Sequence, residues 1–425
     1  MIIILFLPLP DFVIVIIAIN YIIEHQCPQC GAPIELEETD RLLTCPFCRV
    51  KSYLMSHLFF RYMLPHRAPD DKQLIYVPYW RFKGMVFSRL SRGLEHKFMD
   101  ASQQALQSAH FPLSLGLRSQ AMKLHFVTPE TPGRFLKPLI PYSAVMDRFM
   151  KKASAALSGP IFTQAHIGES VSLIFAPFYV EDQVYDAVLN QPLPSVGDIG
   201  EIEAFTGGRP NWKIYFEPTL CPGCGWDLEG VRDSLALTCK NCNSVWYPGT
   251  RKLKQTRFAH LPGEFENTVY LPFWRIRARV AGIALESYGD LIRIANLPKA
   301  VLPEFEQQPF RFWSPAFKVR PRTFLNLVKN ATLTQPGPKA SSKLPNGTLH
   351  PISLPISEAL ETLKINIAGF IKPPQDLLPK LEAMQVEPLS YILVYIPFRK
   401  GHHDYVNPDL HLSVNRNQLY LAKNL

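Results

Sequence analysis

All eight cysteines of this 425-residue chain fall in two short stretches, "CPQCGAPIELEETDRLLTCPFC" from Cys27 to Cys48 and "CPGCGWDLEGVRDSLALTCKNC" from Cys221 to Cys242. Both have the spacing C-x2-C-x14-C-x2-C, and nothing else in the chain constrains its folding as tightly. A Cys-x-x-Cys turn brings two sulfurs to one ion. A second such turn, reached through a hairpin, completes a tetrahedron with metal–sulfur bonds of about 2.3 Å. Gly31 and Gly225 follow the first pairs, where the backbone has to turn with positive φ to aim N–H groups at the sulfurs. No cysteine remains to act as a nucleophile elsewhere. Cysteines grouped in this way within a large chain read as metal ligands, not as a disulfide framework, and imply a reducing compartment.

The two stretches are in register with each other at an offset of 194 residues, and the register continues past the cysteines. Tyr76, Pro78, Trp80 and Arg81 of "YVPYWRFK" match Tyr270, Pro272, Trp274 and Arg275 of "YLPFWRIR". Weaker versions recur around Pro177 ("IFAPFY") and Pro397 ("VYIPFR"). The chain therefore reads as two homologous halves. The 39 prolines, 27 phenylalanines and 16 tyrosines favour pleated surfaces over long helices, so the expected class is α+β and strand-rich. The expected division is a hydrophobic segment 1–23, a first ribbon 24–55, a β-rich domain 56–194, a linker 195–212, a second ribbon 213–250 and a second β-rich domain 251–425. A Pro-, Gly- and Ser-rich mobile surface loop is expected over 334–355. Helical periodicity shows in "AVMDRFMKKASAAL" and "SEALETLKINIAGF".

"CPQCG…CPFC" and "CPGCG…CKNC" resemble the zinc-ribbon group of knuckle-and-hairpin modules. Duplicated ribbons followed by a Tyr-x-Pro-aromatic-Trp strand also look like uncharacterised bacterial zinc-ribbon proteins, a likeness that supplies no activity. The resemblance implies two Zn2+ ions, one held by Cys27, Cys30, Cys45 and Cys48 and the other by Cys221, Cys224, Cys239 and Cys242. Rubredoxin-like iron is the rival metal. Its knuckles usually both read CPxCG, whereas the second knuckles here end in Arg49 and Asn243, which favours zinc. Four cysteines close the shell, and a catalytic ion normally keeps one position open. The role expected is structural.

The formal charge of +9 is concentrated locally, with 16 Lys/Arg against 6 Asp/Glu between Lys51 and Lys152. Arg251, Lys252, Lys254 and Arg257 follow the second ribbon beside Trp246 and Tyr247, and cations beside aromatics suit single-stranded nucleic acid. Alternation puts Arg275, Arg277 and Arg279 on one strand face, which with Arg81 and Lys83 would make a basic sheet surface or an ordinary wet one. Trp80 and Trp274 read as core residues. The prolines beside them, Pro78 and Pro272, imply a sheet edge or bulge. "GHHDY" offers His402, His403 and Asp404 for a third metal or an acid–base pair, against plain exposure in a turn.

The opening "MIIILFLPLPDFVIVIIAINYII" carries a single charge, Asp11, and lacks the features of a secretory signal. It reads as a membrane anchor, a start-site artefact or a buried strand. A cytoplasmic protein is expected, attached to the cytoplasmic face of the inner membrane if the segment anchors it. No phosphate-binding loop, dinucleotide fingerprint or serine elbow is present. The leading expectation is a non-enzymatic scaffold with a protein partner and no small-molecule substrate. Nucleic-acid binding is the alternative, and an enzyme of unknown class the third.

Overall fold

The computed structural model describes residues 21–422 apart from 56–58, 117–121, 156, 195–197, 212, 250–251, 264, 266, 338, 341–342 and 373–376. The expectations for residues 1–20 and for Arg251 lie outside the described residues.

Strands dominate and helices are few. The first cysteine stretch is threaded through β1 (Ile22–Gln26), β2 (Pro33–Glu37), β3 (Leu42–Thr44) and β4 (Lys51–Met55). Then come β5 (Phe60–Met63), β6 (Ile75–Leu90), β7 (Gly93–Gln104), β8 (Leu124–Phe126), β9 (Arg134–Leu136), α1 (Tyr142–Ser154), β10 (Ile161–Val180) and β11 (Val184–Asp186). The expected linker is built into the fold. After β12 (Gln191–Pro192) it supplies α2 (Glu201–Ala204), with Ile202 fully buried, and β13 (Gly207–Gly208), which pairs with β9.

The second cysteine stretch follows β14 (Tyr215–Pro218) and runs into the meander of β15 (Leu237–Cys239), β16 (Ser244–Pro248) and β17 (Leu253–Thr256), with Cys242 in the turn between β15 and β16. Beyond it run β18 (Phe258–His260), β19 (Thr268–Ala281), α3 (Tyr288–Ile294), α4 (Pro303–Gln307), β20 (Phe312–Pro315) and α5 (Pro321–Thr334). The chain continues through β21 (Lys339–Ala340), β22 (Thr348–Leu349), α6 (Ile356–Glu361), α7 (Leu363–Phe370), α8 (Lys380–Ala383), β23 (Gln385–Lys400), β24 (Asp404–Asn407), β25 (Leu412–Asn415) and α9 (Arg416–Leu421). The segment 334–355, expected as a surface loop, contributes β22 and buries Ile352 and Leu354.

Each half is organised around one long antiparallel pair, β6 with β10 and β19 with β23. The pairings share a register. Tyr76 lies opposite Pro177 and Tyr270 opposite Pro397, while Trp80 faces Leu173 and Trp274 faces Leu393. The four aromatic-x-Pro phrases of the sequence are thus the paired central strands. The flanking strands correspond as well: β5 runs parallel to β10 as β18 does to β23, and β9 runs parallel to the start of β6 as β22 does to β19. Gly133 (φ 109°) and Gly347 (φ 147°) enter these short strands, and a Cβ on either would meet the ring of Tyr76 at 2.8 Å or of Tyr270 at 3.1 Å. Only glycine lets the chain cross those rings so closely.

The prolines correct a sequence expectation. Pro78 and Pro272 sit within central strands, at neither an edge nor a bulge. On the side away from β10, β6 pairs with β9 up to Tyr76 and with β7 from Tyr79 onward. Pro78 falls in the gap, its carbonyl accepting from Ala105 N at 2.9 Å; Pro272 does the same with Ala316 N at 2.9 Å. A residue facing such a gap can do without its own N–H.

Trp80 and Trp274 are 4% and 1% exposed, and their indole N–H groups donate to the carbonyls of Ile140 (2.8 Å) and Leu354 (3.0 Å) just ahead of α1 and α6. Both are core residues, as the sequence implied. α1 lays Val145, Met146 and Phe149 on the Trp80 face of the first sheet. The tips of β6 and β10 carry Phe87, Ala165 and Ile167 into the core of the second half, where Phe87 stacks on Phe324 of α5 at 5.9 Å. The two halves therefore share apolar core.

Arg81 and Lys83 provide a second correction, since they form no wet basic face and are each 1% exposed. Arg81 grips Asp100 through Nε (2.8 Å) and Nη2 (2.9 Å), donates to Glu38, and lies 3.8 Å from the centre of the Tyr21 ring. Burial opposes its charge, and the Glu38, Tyr21 and Asp100 neighbours outweigh that opposition. Their counterparts on β19 do reach water, Arg277 and Arg279 being exposed and Arg275 half-buried. The same alternation has opposite outcomes because Tyr21, just ahead of the first ribbon, and Glu38 within it cover Arg81.

Candidate metal centres

Three of the knuckles are closed by a backbone bond from the residue one past the second cysteine. Gly31 N donates to Cys27 O (2.9 Å), Arg49 N to Cys45 O (2.9 Å) and Gly225 N to Cys221 O (2.8 Å). The residue in that place has positive φ in all four knuckles: Gly31 (73°), Arg49 (61°), Gly225 (74°) and Asn243 (54°). The glycines behave as the sequence implied. Arg49 and Asn243 take the same left-handed conformation, which is easy for Asn and unfavourable by roughly 1–2 kcal/mol for Arg. Exchanging Arg49→Gly is expected to stabilise the first ribbon by about 0.5–1 kcal/mol, after the extra chain entropy of glycine is deducted. Urea unfolding of the metal-loaded protein measures it, and a loss of stability would refute the argument.

The sulfurs converge. Cys27 to Cys48 and Cys30 to Cys45 are each 3.8 Å apart, Cys221 to Cys242 and Cys224 to Cys239 each 3.5 Å. Within each group of four, all ligand atoms lie inside 4.8 Å of one another. A tetrahedron with 2.3 Å metal–sulfur bonds has edges of about 3.8 Å, whereas a disulfide needs about 2.05 Å. All eight cysteines are free, and both groups fit a metal ion such as zinc. No third metal-binding group of His, Cys, Asp and Glu exists among the described residues. Asp404 accepts from Asn415 Nδ2 at 2.9 Å, and His402 and His403 sit ring to ring at 4.3 Å.

Within each site the thiols are pushed in opposite directions: burial and the neighbouring sulfurs raise Cys239 and, against the Val50 N–H, Cys48, whereas Cys45 and Cys224 are lowered. Backbone N–H groups of Cys48 and Phe47 bring the Cys45 thiol down to about 6. The Asn241 amide, 3.5 Å from Cys224, does most to lower that thiol to about 6, helped by Trp226 N–H. In the second ribbon, Ser244 Oγ lies 3.0 Å from Cys242 Sγ and accepts from Trp246 Nε1 at 2.7 Å. The first cysteine of every knuckle is buried, and the second faces outward or is half-buried.

The ribbons are not separate heads. β14, which leads into the second ribbon, pairs antiparallel with β4 of the first, setting Phe216 opposite Leu54. Arg41 N and Leu42 N donate to Arg232 O (2.6 and 2.9 Å), Tyr53 OH donates to Leu235 O (3.1 Å), and Arg232 pairs with Asp40. Leu42, Tyr53 and Met55 share one core with Cys221, Leu228, Leu237, Cys239, Trp246 and Leu253. Sequence reasoning missed this joint because no local period records it.

The basic positions flagged by the sequence differ in exposure. Lys252, Lys254, Arg257 and Arg277 are exposed, while Arg275 is half-buried with its Cζ 5.9 Å from the Trp313 ring. Trp246 is 8% exposed and part of the inter-ribbon core, and Tyr247 is half-buried and edge-on to Trp274 at 6.3 Å, so neither ring is free to stack on a base. Among the described residues no helix is long and apolar enough to cross a membrane. No family model, curated protein or solved structure matches the chain.

Proposed function

We propose that the protein is a non-enzymatic scaffold of two homologous halves, each stiffened by a structural zinc ion, whose ribbon tips dock a protein partner. The carrying observation is a pair of solvent-facing rings, Phe47 (65% exposed) and Trp226 (61% exposed), one on each cysteine module. Both are held by the metal sites themselves. Phe47 N–H is bonded to the Cys45 sulfur, Trp226 N–H to the Cys224 sulfur, and Trp226 O accepts from Cys221 N at 2.7 Å. A large ring fixed on a rigid backbone and left in water has already lost the entropy that a partner contact would otherwise cost. Zinc is the ion favoured for four thiolates, the closed shell suits a structural role, and eight free thiols suit a reducing cytoplasmic setting. The shared strand register and the twin glycine, proline and tryptophan contacts support duplication.

Affinity purification of the tagged chain at native expression level, with mass spectrometry, should capture a partner that survives 500 mM salt. Phe47→Ala/Trp226→Ala should weaken that capture at least about tenfold, as hot-spot rings do, with both metal ions retained. Capture that is unchanged by the double substitution would overturn the docking assignment. Binding that instead vanishes with salt and with reversal of Lys252 and Lys254 would point to nucleic acid.

A further inference from the structure

Corresponding places in the two large sheets carry opposite charge. Ser102, Gln103 and Gln104 of β7 face Arg81, Trp80 and Tyr79 of β6, just as Trp313, Ser314 and Pro315 of β20 face Arg275, Trp274 and Phe273 of β19. Phe82 and Ala101 are the next pair in the first sheet, Ile276 and Phe312 in the second. The residues one step further along are Lys83 and Asp100 in the first sheet, and Arg277 and Arg311 in the second. A carboxylate has been exchanged for a guanidinium. The other acid on Arg81, Glu38, has Arg232 at its place 194 residues on, and Arg232 is turned to Asp40. Three arginines therefore gather where the first sheet supplies two carboxylates. Arg275 and Arg311 are half-buried and Arg277 is exposed. Burial and the charges of Arg275 and Arg277 hold the pKa of Arg311 below its usual value. None of the three has a carboxylate partner among the described residues, whereas Arg279, further along the same face, is paired with Glu387 at 3.1 Å. Like charges opposite each other on a sheet are destabilising, and a partly buried charge costs more without its counter-ion. An anion brought from outside removes both penalties. Arg311 is also fixed in place, its N–H donating to Gln335 Oε1 at 2.9 Å and its Nη1 to Phe310 O at 2.7 Å.

We propose that Arg275, Arg277 and Arg311 dock an acidic segment of a partner protein, whose carboxylates take the part that Asp100 and Glu38 play against Arg81. Guanidinium forks hold carboxylates through paired, charge-assisted bonds, which suits all three residues to this ligand. The rings beside them offer a nucleobase no platform. Trp313, opposite Arg275, is 0% exposed, and Tyr391 faces Ile276 and lies edge-on to Trp274 at 5.9 Å on the other side of the sheet. A second copy of the same face would set arginine against arginine and be repelled. The face uses neither Phe47 nor Trp226, so it stands or falls separately from the docking assignment of the ribbon tips.

The test is fluorescence anisotropy of the metal-loaded chain at pH 7 and low ionic strength with three labelled probes: an octapeptide of alternating Glu and Asp, its Gln/Asn counterpart, and an oligothymidylate of similar length. The acidic peptide should bind at least about tenfold tighter than the neutral one, and tighter than the oligothymidylate. Arg277→Gln/Arg311→Gln should weaken the acidic peptide at least about tenfold. Arg279→Gln, on the same face but already paired, should change it by less than about threefold. Metal content and near-UV circular dichroism check that each variant is folded, and Arg277→Gln alone, at an exposed position, gives the same direction of change with the least risk to folding. No binding of the acidic peptide at millimolar concentration, equal binding of the neutral peptide, tighter binding of the oligothymidylate, or an affinity lowered no more by the double substitution than by Arg279→Gln would each overturn the proposal.

Discussion

Cys239→Ser is expected to release one metal ion from the protein and to loosen both ribbons together. Cys239 is fully buried and belongs at once to the second sulfur cage and to the core that joins the ribbons. A structural zinc contributes about 10–16 kcal/mol of apparent binding free energy at neutral pH, as large as the whole stability of a typical domain, about 5–15 kcal/mol. A ribbon that loses its ion unfolds, and here the loss would also strip Trp246 and Leu237 from Tyr53 and Leu42 and uncouple β14 from β4. Elemental analysis should fall from two ions per chain to one. Trypsin should then cut at Arg41, Arg49 and Lys51 as well as at Arg232 and Lys240, all of which the metal-loaded protein should resist. Cleavage confined to the second ribbon would show that the joint transmits no stability.

Arg81→Ala should cost about 3–5 kcal/mol, because it removes the buried guanidinium that binds both Glu38 and Asp100 beneath the first ribbon. Arg81→Lys should recover only part of this, since one ammonium cannot reproduce the fork that holds both oxygens of Asp100. Adding Glu38→Gln and Asp100→Asn to Arg81→Met should restore most of the loss at pH 7. Urea denaturation at pH 7 measures all of these; a loss that the triple substitution fails to recover would locate the cost in packing instead of charge.

The metal ligands, the knuckle turns and the pairing phrases were legible because each is a local pattern with a physical requirement behind it. Cys-x-x-Cys fixes two sulfurs, and Tyr-x-Pro-aromatic-Trp fixes a strand with one carbonyl and one indole committed. α5 was legible and passed over: Pro321 at its first turn and buried Phe324, Leu327, Val328 and Ala331 follow the helical period. Arg81 and Lys83 were not legible, because their alternation matches that of Arg275 and Arg277 and only the distant Tyr21 and Glu38 distinguish them.

The strand that braces the first ribbon reaches it late. β4 ends at Met55, and its partner begins at Tyr215, so about 160 residues separate them, roughly 8–30 s of synthesis at about 5–20 residues per second. Throughout that interval a nascent chain carries one bare strand edge beside a cage already able to take up its ion. Ribosome stalling or truncation anywhere between the two positions would hold the molecule in its most aggregation-prone form, and a chaperone that shields strand edges would act within this window.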